Sequence, residues 1–351
     1  MIIREAVDQD NLALQELQVR CPQSAKSIVS VTNTPDFFAR AKAYENYKVY
    51  VACENDRIIG SSACAIRNAV VNGEVKPIAY GFQAFTSPEH RRKGVESQLH
   101  QHRLKYAAHH GAVLLYGLVM DGNMPAIRYA ERDGSKLHRA LTMTGLLVFK
   151  EVKVPDIGKV RQARSDDLEV VAELLNSTWI GYEMYEPTSA EGLFRFIERT
   201  PAYELENLLV LEKNGIIVAC LGYWDWSQVM RVTMNSIDFK MRTMGCLLWI
   251  AGLLVPVPRP IKPGDTLKQV MLTPIGYREP EYFSALLKYM NNHVLQRGTE
   301  QMFCICEHNH PILRSIGGFI RIDTTMNLYC KPLSADGVLA DRPVFIDGTD
   351  L

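Results

Sequence analysis

The chain has 351 residues, with Lys plus Arg and Asp plus Glu matched at 39 each, and 47% of it is apolar. The length suits about two domains of roughly 150 residues. The apolar share excludes a disordered chain, and the even charge balance excludes a general field for nucleic acid or an acidic membrane. The opening "MIIREAVDQDN" turns polar at once and has no secretory apolar stretch. The longest apolar run, residues 244–255, has 12 residues. A membrane span needs about 20, so this run is expected as buried core. Eight cysteines are scattered without a disulfide framework, which suits a reducing cytosol. The expectation is a cytoplasmic protein without nucleic-acid or membrane partners; the oligomeric state stays open.

In chain order, a short strand opens the sequence and one or two helices follow to about Lys42. Strands are expected at 47–54, 57–70 and 77–86, with "VNGE" from Val71 turning the last two. A helix then runs to about His110, followed by a strand at 113–119, a short helix at Met124–Arg132 and a closing β-hairpin over 137–150. The second half repeats the order, with strands near 209–222 and 269–274, a helix at 280–296, a strand at 301–306 and final strands over 318–331. Pro-rich "VPVPRPIKPGD" interrupts it, and the tail "RPVFIDGTDL" is expected to pack as one more strand.

The halves echo each other. "REAVDQDNLALQEL" from Arg4 and "RQARSDDLEVVAELL" from Arg161 share Arg-x-Ala-x-x-x-Asp ahead of helix-spaced apolar residues. "YVACENDRIIGSSA" from Tyr50 and "LVLEKNGIIVACLG" from Leu209 both read as two strands around a polar turn. Both echoes fall 157–159 residues apart, which implies a duplicated fold. The expected division is a first domain at 1–150, a polar linker at 151–159 and a second domain at 160–351. The expected class is α+β, each domain a mixed twisted β-sheet flanked by helices.

One short stretch concentrates positive charge. In "SPEHRRKGVESQLHQH" from Ser87, a strand stops and a helix starts near Gly94. Unpaired helix N–H groups, a permissive glycine and the side chains of Arg91, Arg92 and Lys93 together make an anion cradle. The spacing is that of neither a Walker loop nor a dinucleotide-binding fingerprint. "CICEHNH" from Cys304 lacks a second ligand pair at metal-site spacing, so it reads as a buried strand end and no metal is expected.

These residues resemble a known family. "SPEHRRKGV" after an extended run resembles the acyl-CoA pyrophosphate loop of the Gcn5-related N-acetyltransferases, GNAT proteins, whose pattern is Arg/Gln-x-x-Gly-x-Gly/Ala. "IIREAVDQDNLALQEL" resembles that fold's first strand and helix, and "NMPAIRYAERDGSKL" from Asn123 its later Asn-x-x-Ala segment. The tandem layout, "LTMTGLLVFK" from Leu141 and the late "VFID" resemble plant Hookless-type proteins and vertebrate histidine N-acetyltransferases. The resemblance implies that Arg91, Arg92, Lys93, Gly94, Val95 and Glu96 wrap the pyrophosphate of acetyl-CoA, used as a co-substrate, with Ser97 adding a hydroxyl. It implies that Ala84, Phe85 and Thr86 pair through backbone with the pantetheine arm, beside a splayed neighbouring strand. Asn123 and Ala126 would line the far side of CoA.

The sequence departs from that pattern in three places. Glu96 stands where the family has Gly or Ala, so it either faces the pyrophosphate or turns outward as a helix-start charge. Ala130 takes the place of the usual acid tyrosine, with Tyr129 one position away. Ser135 replaces a Phe. N-acyl transfer needs a neutral amine, a polarised thioester and a proton for the leaving thiolate. Tyr80, or Glu74 through water, is the candidate base, and Tyr129 the candidate acid. Tyr80 reads equally well as a strand aromatic. The second half has no cradle, so it is expected to lack CoA and to wall an acceptor pocket, with Trp224 and Asp225 as candidate substrate contacts. The expected activity is acyl-CoA-dependent N-acyl transfer to a small primary amine such as an amino acid. The alternative is a non-catalytic member of the fold that binds a ligand or protein between its halves.

Overall fold

The computed structural model describes residues 1–21, 23–24, 28–237 and 239–351. The first half runs β1 (Ile2–Glu5), α1 (Asn11–Arg20), β2 (Gln23–Ser24), β3 (Ile28–Asn33), α2 (Ala39–Lys42), β4 (Asn46–Glu54), β5 (Arg57–Val71), β6 (Glu74–Thr86), α3 (Val95–His109), β7 (Leu114–Met120), α4 (Met124–Arg132) and β8 (Lys136–Leu147). The second half runs β9 (Lys159–Gln162), α5 (Leu168–Thr178), α6 (Ala190–Arg199), β10 (Leu208–Lys213), β11 (Ile216–Asp225), β12 (Met230–Met234), α7 (Phe239–Ala251), β13 (Thr266–Leu267), β14 (Gln269–Tyr277), α8 (Pro280–Leu295), β15 (Gln301–Glu307), α9 (Pro311–Ser315) and β16 (Arg321–Pro332).

The duplication is visible bond by bond. Arg4 forks on to Asp10 at 2.6 and 2.8 Å, and Asp10 also accepts from the Val7 N–H. Arg161 forks on to Asp167 at 2.6 and 3.0 Å, and Asp167 accepts from the Arg164 N–H. In each copy the carboxylate caps the helix start and the guanidinium fixes it to the first strand. The two hairpin turns match as well: Asn55 and Asp56 have positive φ, as do Asn214 and Gly215, the geometry a two-residue hairpin turn demands.

The halves are interlocked. One twelve-stranded sheet has the order β1-β4-β5-β6-β7-β16-β8-β15-β14-β11-β10-β9. The last strand of each half lies in the other half's sheet: β16 pairs with β7, and β8 pairs with β15. The two exchanged strands also pair with each other. A second sheet, β13-β12-β3-β2, joins the halves again through β3 and β12. The linker at 151–159 is clamped by α8, where Asn291 donates to the Lys150 carbonyl and Asn292 to that of Val152. Residues 151–158 form neither helix nor strand, and strands cross from half to half on either side of them.

Several local expectations are corrected. The hairpin at 137–150 is one continuous strand, β8, because both of its edges find long partners in β15 and β16. Strands β2 and β3 occupy part of the region expected as helix before Lys42; residues 22 and 25–27 of that region lie outside the described residues. The C-terminal tail forms no strand. Its ladder contact is a single bridge from Glu183 to Val344, and it then threads inward.

That tail carries a carboxylate into the core. Asp350 is fully buried. Tyr44 donates to it at 2.7 Å, Tyr116 at 2.9 Å and Arg67 at 3.2 Å. Its backbone carbonyl accepts from Tyr80 and from Arg40. Burial pushes the Asp350 carboxyl above its usual range, and the Arg67 charge pulls it back. Removing one partner of a buried pair leaves an uncompensated charge. Arg67→Met is therefore expected to destabilise the fold by about 3–5 kcal/mol, and adding Asp350→Asn is expected to recover part of the loss. Urea unfolding midpoints of the wild type and the two variants check this.

Candidate active site

Strands β6 and β7 run parallel but stay paired only at Ile78–Leu114, Ala79–Leu115 and Tyr80–Tyr116. Beyond that vertex they splay. On the β5 side, β6 carries a bulge: Ala63 faces Phe82 and Ser61 faces Phe85, so one partner residue opposes two. Gln83, inside the bulge, has φ of 48°, a strained value for a residue with a side chain. It is held there by contacts from three elements. Ser61 donates to its carbonyl at 3.2 Å, and its own amide donates to Asn33 Oδ1 at 3.2 Å and to the Phe37 carbonyl at 3.1 Å.

The next β6–β5 bond runs from the Ser87 N–H to the Ile59 carbonyl, so the backbone of Ala84 and Thr86 points into the splay. The Thr86 carbonyl accepts from Cys21 at 3.3 Å and Arg91 at 3.4 Å. Among the described residues no side chain bonds to the backbone of Ala84. Ala84, Phe85 and Thr86, the residues expected to pair with a pantetheine arm, form the part of β6 beyond the vertex.

The cradle sits at the open end of the slot. Gly94 has φ of 81°, and nothing lies within 4 Å of where its Cβ would be. No side chain caps α3, so the N–H groups of Val95, Glu96 and Ser97 lack the usual intrahelical partners. Arg91, Arg92 and Lys93 are exposed, and among the described residues none of them joins a salt bridge. Glu96 takes neither expected direction: it folds back along its own helix and receives Arg103 at 2.7 Å. Burial pushes the Glu96 carboxyl upward, and Arg103 opposes this. The Arg103 guanidinium stands at the vertex, with Nη1 3.0 Å from the place a Cβ on Gly81 would fill. Its Nε is buried without a partner. Arg103 also donates to His100 Nδ1 at 2.9 Å, and His100 Nε2 lies 2.9 Å from Asp133.

Tyr129 stands edge-on to His100, with ring centroids 6.1 Å apart. Its pKa is pushed up to about 12, first by burial and then by Glu96. Asn123 caps α4, accepting from the Ala126 N–H at 3.4 Å.

Side chains alternate across a strand, so Tyr80, Phe82 and Tyr116 project from the opposite face of the sheet, where Asp350 is seated. The cradle and the buried polar cluster around Asp350 thus lie on opposite faces of the sheet. Tyr80 lies at the vertex, but its pKa is pushed up to about 12, mainly by burial. It also donates to the Asp350 carbonyl, so it remains a neutral phenol at pH 7 and does not meet the expectation of a base. Glu74 begins β6 at the surface and pairs with Lys76 at 3.0 Å. Trp224 is core, donating to the Pro201 carbonyl at 2.7 Å. Asp225 accepts from Ser227 and Gln228 and caps a turn. Neither meets the expectation of an acceptor contact. Sequence reasoning missed Arg103, Gln83, Arg67, Asp350 and Glu186. The Glu186 carboxyl reaches solvent but is crowded enough that burial pushes it upward, against Arg67 and Arg199.

The second half has a matching splay, and it is closed. β14 and β15 pair only at Gln269–Gln301, Val270–Met302 and Met271–Phe303. The backbone edge beyond is taken by side chains of α5 and the residue after it. Trp179 donates to the Ile275 carbonyl at 2.7 Å, and the Thr178 hydroxyl bonds both the N–H and the carbonyl of Tyr277. His310 stacks on Trp179 at 5.2 Å. Cys304 and Cys306 are buried strand residues, and among the described residues no group of three or more His, Cys, Asp or Glu is set to hold a metal.

Residues 11–134 match the model of the acetyltransferase (GNAT) family. That match spans about a third of the chain. No curated protein matches the chain. Among solved structures, a GCN5-related glucosamine N-acetyltransferase region in a fungal multi-domain GH3 β-N-acetylglucosaminidase aligns with a TM-score of 0.61 and 14% identity. That alignment covers 94% of this chain and 38% of the fungal one, so this chain spans well under half of that relative. Two structures of Saccharomyces cerevisiae N-myristoyltransferase with bound myristoyl-CoA align with TM-scores of 0.65 at 12% and 11% identity, covering 98% of this chain and 89% and 85% of theirs. These likenesses concern the fold, and the match extends over both halves.

The His310 ring against Trp179 gives a pH test of the closed slot. Burial lowers the His310 pKa to about 4, below its value in the unfolded chain, so the unfolded state takes up the proton first. Stability is therefore full above about pH 6.5 and falls as pH drops toward 4, by up to about 1.4 kcal/mol per pH unit. In thermal melts from about pH 7 to about pH 4, His310→Gln is expected to lose stability less steeply than the wild type. Parallel curves would contradict the assignment.

Proposed function

We propose that the first half transfers an acyl group from acyl-CoA, with acetyl-CoA as the simplest donor, to the primary amine of a small acceptor such as an amino acid. The observation that supports this most is the contrast between the two slots. In the first, no described side chain bonds the Ala84 backbone beside an uncapped, basic helix start, while its duplicate is closed by Trp179 and Thr178. In this reading the pyrophosphate lies on the N–H groups of Val95, Glu96 and Ser97, with Arg91, Arg92 and Lys93 around it. The pantetheine arm adds to the free edge of β6 at Ala84 and Thr86, as an extra strand would. Arg103 Nε is a free donor for a pantetheine carbonyl at the vertex. Asn123 and Ala126 wall the far side.

The acceptor approaches from solvent beside Glu186, which is exposed. Its neutral nitrogen attacks the thioester carbon and the C–N bond forms as the C–S bond breaks; Tyr129 gives its proton to the leaving thiolate, and the proton that the acylated nitrogen loses passes through solvent and restores the phenol. The thioester oxygen draws on backbone N–H groups that the bulge at Gln83 leaves unpaired. Tyr80 and Tyr116 position the acceptor side of the vertex without exchanging protons.

A second reading keeps the fold without the chemistry. It is favoured by the Glu96–Arg103 pair, which narrows the slot at Gly81. Calorimetry with acetyl-CoA on the wild type, Glu96→Gly and the pair Arg91→Ala with Arg92→Ala separates the two. The transferase reading expects wild-type binding near the micromolar range. The arginine pair is expected to cost tenfold or more, and the loss should shrink at high salt. A silent wild type with a binding Glu96→Gly favours the non-catalytic reading. Silence from both removes acyl-CoA from the assignment.

A further inference from the structure

The apolar run 244–255 was expected to be core, and the fold leaves it outside. Between β12 and β13 the chain leaves the small sheet as α7 and returns through the Pro-rich segment to form a projecting finger. Its internal packing is against itself: Gly245 faces Pro260, and Gly252 faces Val257. The outer surface is apolar. Phe239, Leu247, Trp249, Ile250, Leu253, Leu254 and Val255 are all exposed, with Trp249 at 67%, Leu253 at 71% and Leu254 at 87%. Contiguous exposed apolar surface of this kind marks a docking site.

Three observations select the occupant. From residue 239 to residue 264 the sequence has Lys240, Arg242, Arg259 and Lys262 and no Asp or Glu. Arg259 is neutralised by Asp265 and Glu300, but among the described residues Arg242 and Lys262 have no carboxylate partner. An apolar surface bordered by unpaired cations complements an anionic lipid headgroup layer above hydrocarbon. Next, α7 has 13 residues, about 20 Å of helix, which is too short to cross a ~30 Å hydrocarbon core but long enough to lie in its surface. Lastly, the exposed tryptophan belongs to the class of side chains that settle at the headgroup boundary.

We propose that this finger binds the surface of an anionic lipid bilayer, with the tip at Leu253 and Leu254 inserted and Arg242 and Lys262 at the phosphates. The protein lies on the membrane rather than across it. The even charge of the whole chain conceals this local surplus. The finger leaves β12 after Met234, which pairs with Val29 of β3.

Sedimentation of the full chain with vesicles of phosphatidylcholine alone, or phosphatidylcholine with phosphatidylserine, tests the proposal. Binding is expected to the mixed vesicles, weakening as salt is raised. Trp179, Trp224 and Trp226 are buried and Trp249 is exposed, so a blue shift of tryptophan emission on binding reports on the finger. Trp249→Phe should abolish the shift yet still sediment. Leu253→Asp with Leu254→Asp should lower the bound fraction about tenfold or more, as should Arg242→Glu with Lys262→Glu. All four positions are exposed, and unchanged melting curves confirm that the variants fold. Absence of sedimentation with mixed vesicles overturns the proposal. So does a blue shift that arises without lipid and rises with protein concentration, which would assign the surface to a second copy of the chain.

Discussion

A strand has to satisfy its backbone on both edges, and β6 loses one neighbour after Tyr80. The backbone groups beyond that point must find other partners, and much of the molecule is arranged around how they do so. Bulging at Gln83 redirects them, α3 begins where they end, and β7 is held away so that no strand refills the gap. The cost is visible at Gln83, whose left-handed backbone is tolerated because Ser61, Asn33 and Phe37 all grip it. Arg103 occupies the vertex itself, with one donor engaged by Glu96 and another free.

The duplicated half faced the same constraint and resolved it differently. There the unpaired edge is satisfied from within by an indole and a hydroxyl, and the helix that follows is preceded by no basic loop. Two copies of one fold thus show an open and a filled version of one defect. The comparison is informative because it is internal: the Arg–Asp clamps at Arg4 and Arg161 repeat the same bonding while the two slots differ. Aligned structures of 11–14% identity across both halves extend the fold, not the chemistry.

Much of this was legible in the sequence. The two Arg-x-Ala-x-x-x-Asp segments, the polar hairpin turns and the Gly94 elbow each have a local physical cause, and local causes leave local patterns. The charge cluster at Arg91 to Lys93 could be read as a cradle because helix starts bind anions irrespective of distant contacts. What was hidden is non-local. No pattern near Asp350 announces that Arg67, Tyr44 and Tyr116 converge on it across the fold. The strand exchange was equally silent, because β8 and β16 have the alternation of any half-buried strand. Arg103 was partly legible: seven residues after Glu96, it shares a helix face with it. The run 244–255 misled because apolar content was taken for burial, when it marks only a preference to leave water.

The exchanged strands bear on how the chain reaches this state. When synthesis has passed the linker, β7 has no neighbour on its outer edge and β8 has neither of its own, since both wait for segments more than 150 residues later in the sequence. The first half therefore emerges as an open-edged sheet carrying a loose, apolar strand, which is the kind of surface that templates aggregation. Each half thus depends on the other for the partners of its last strand, so an isolated first half would expose those edges to a second chain.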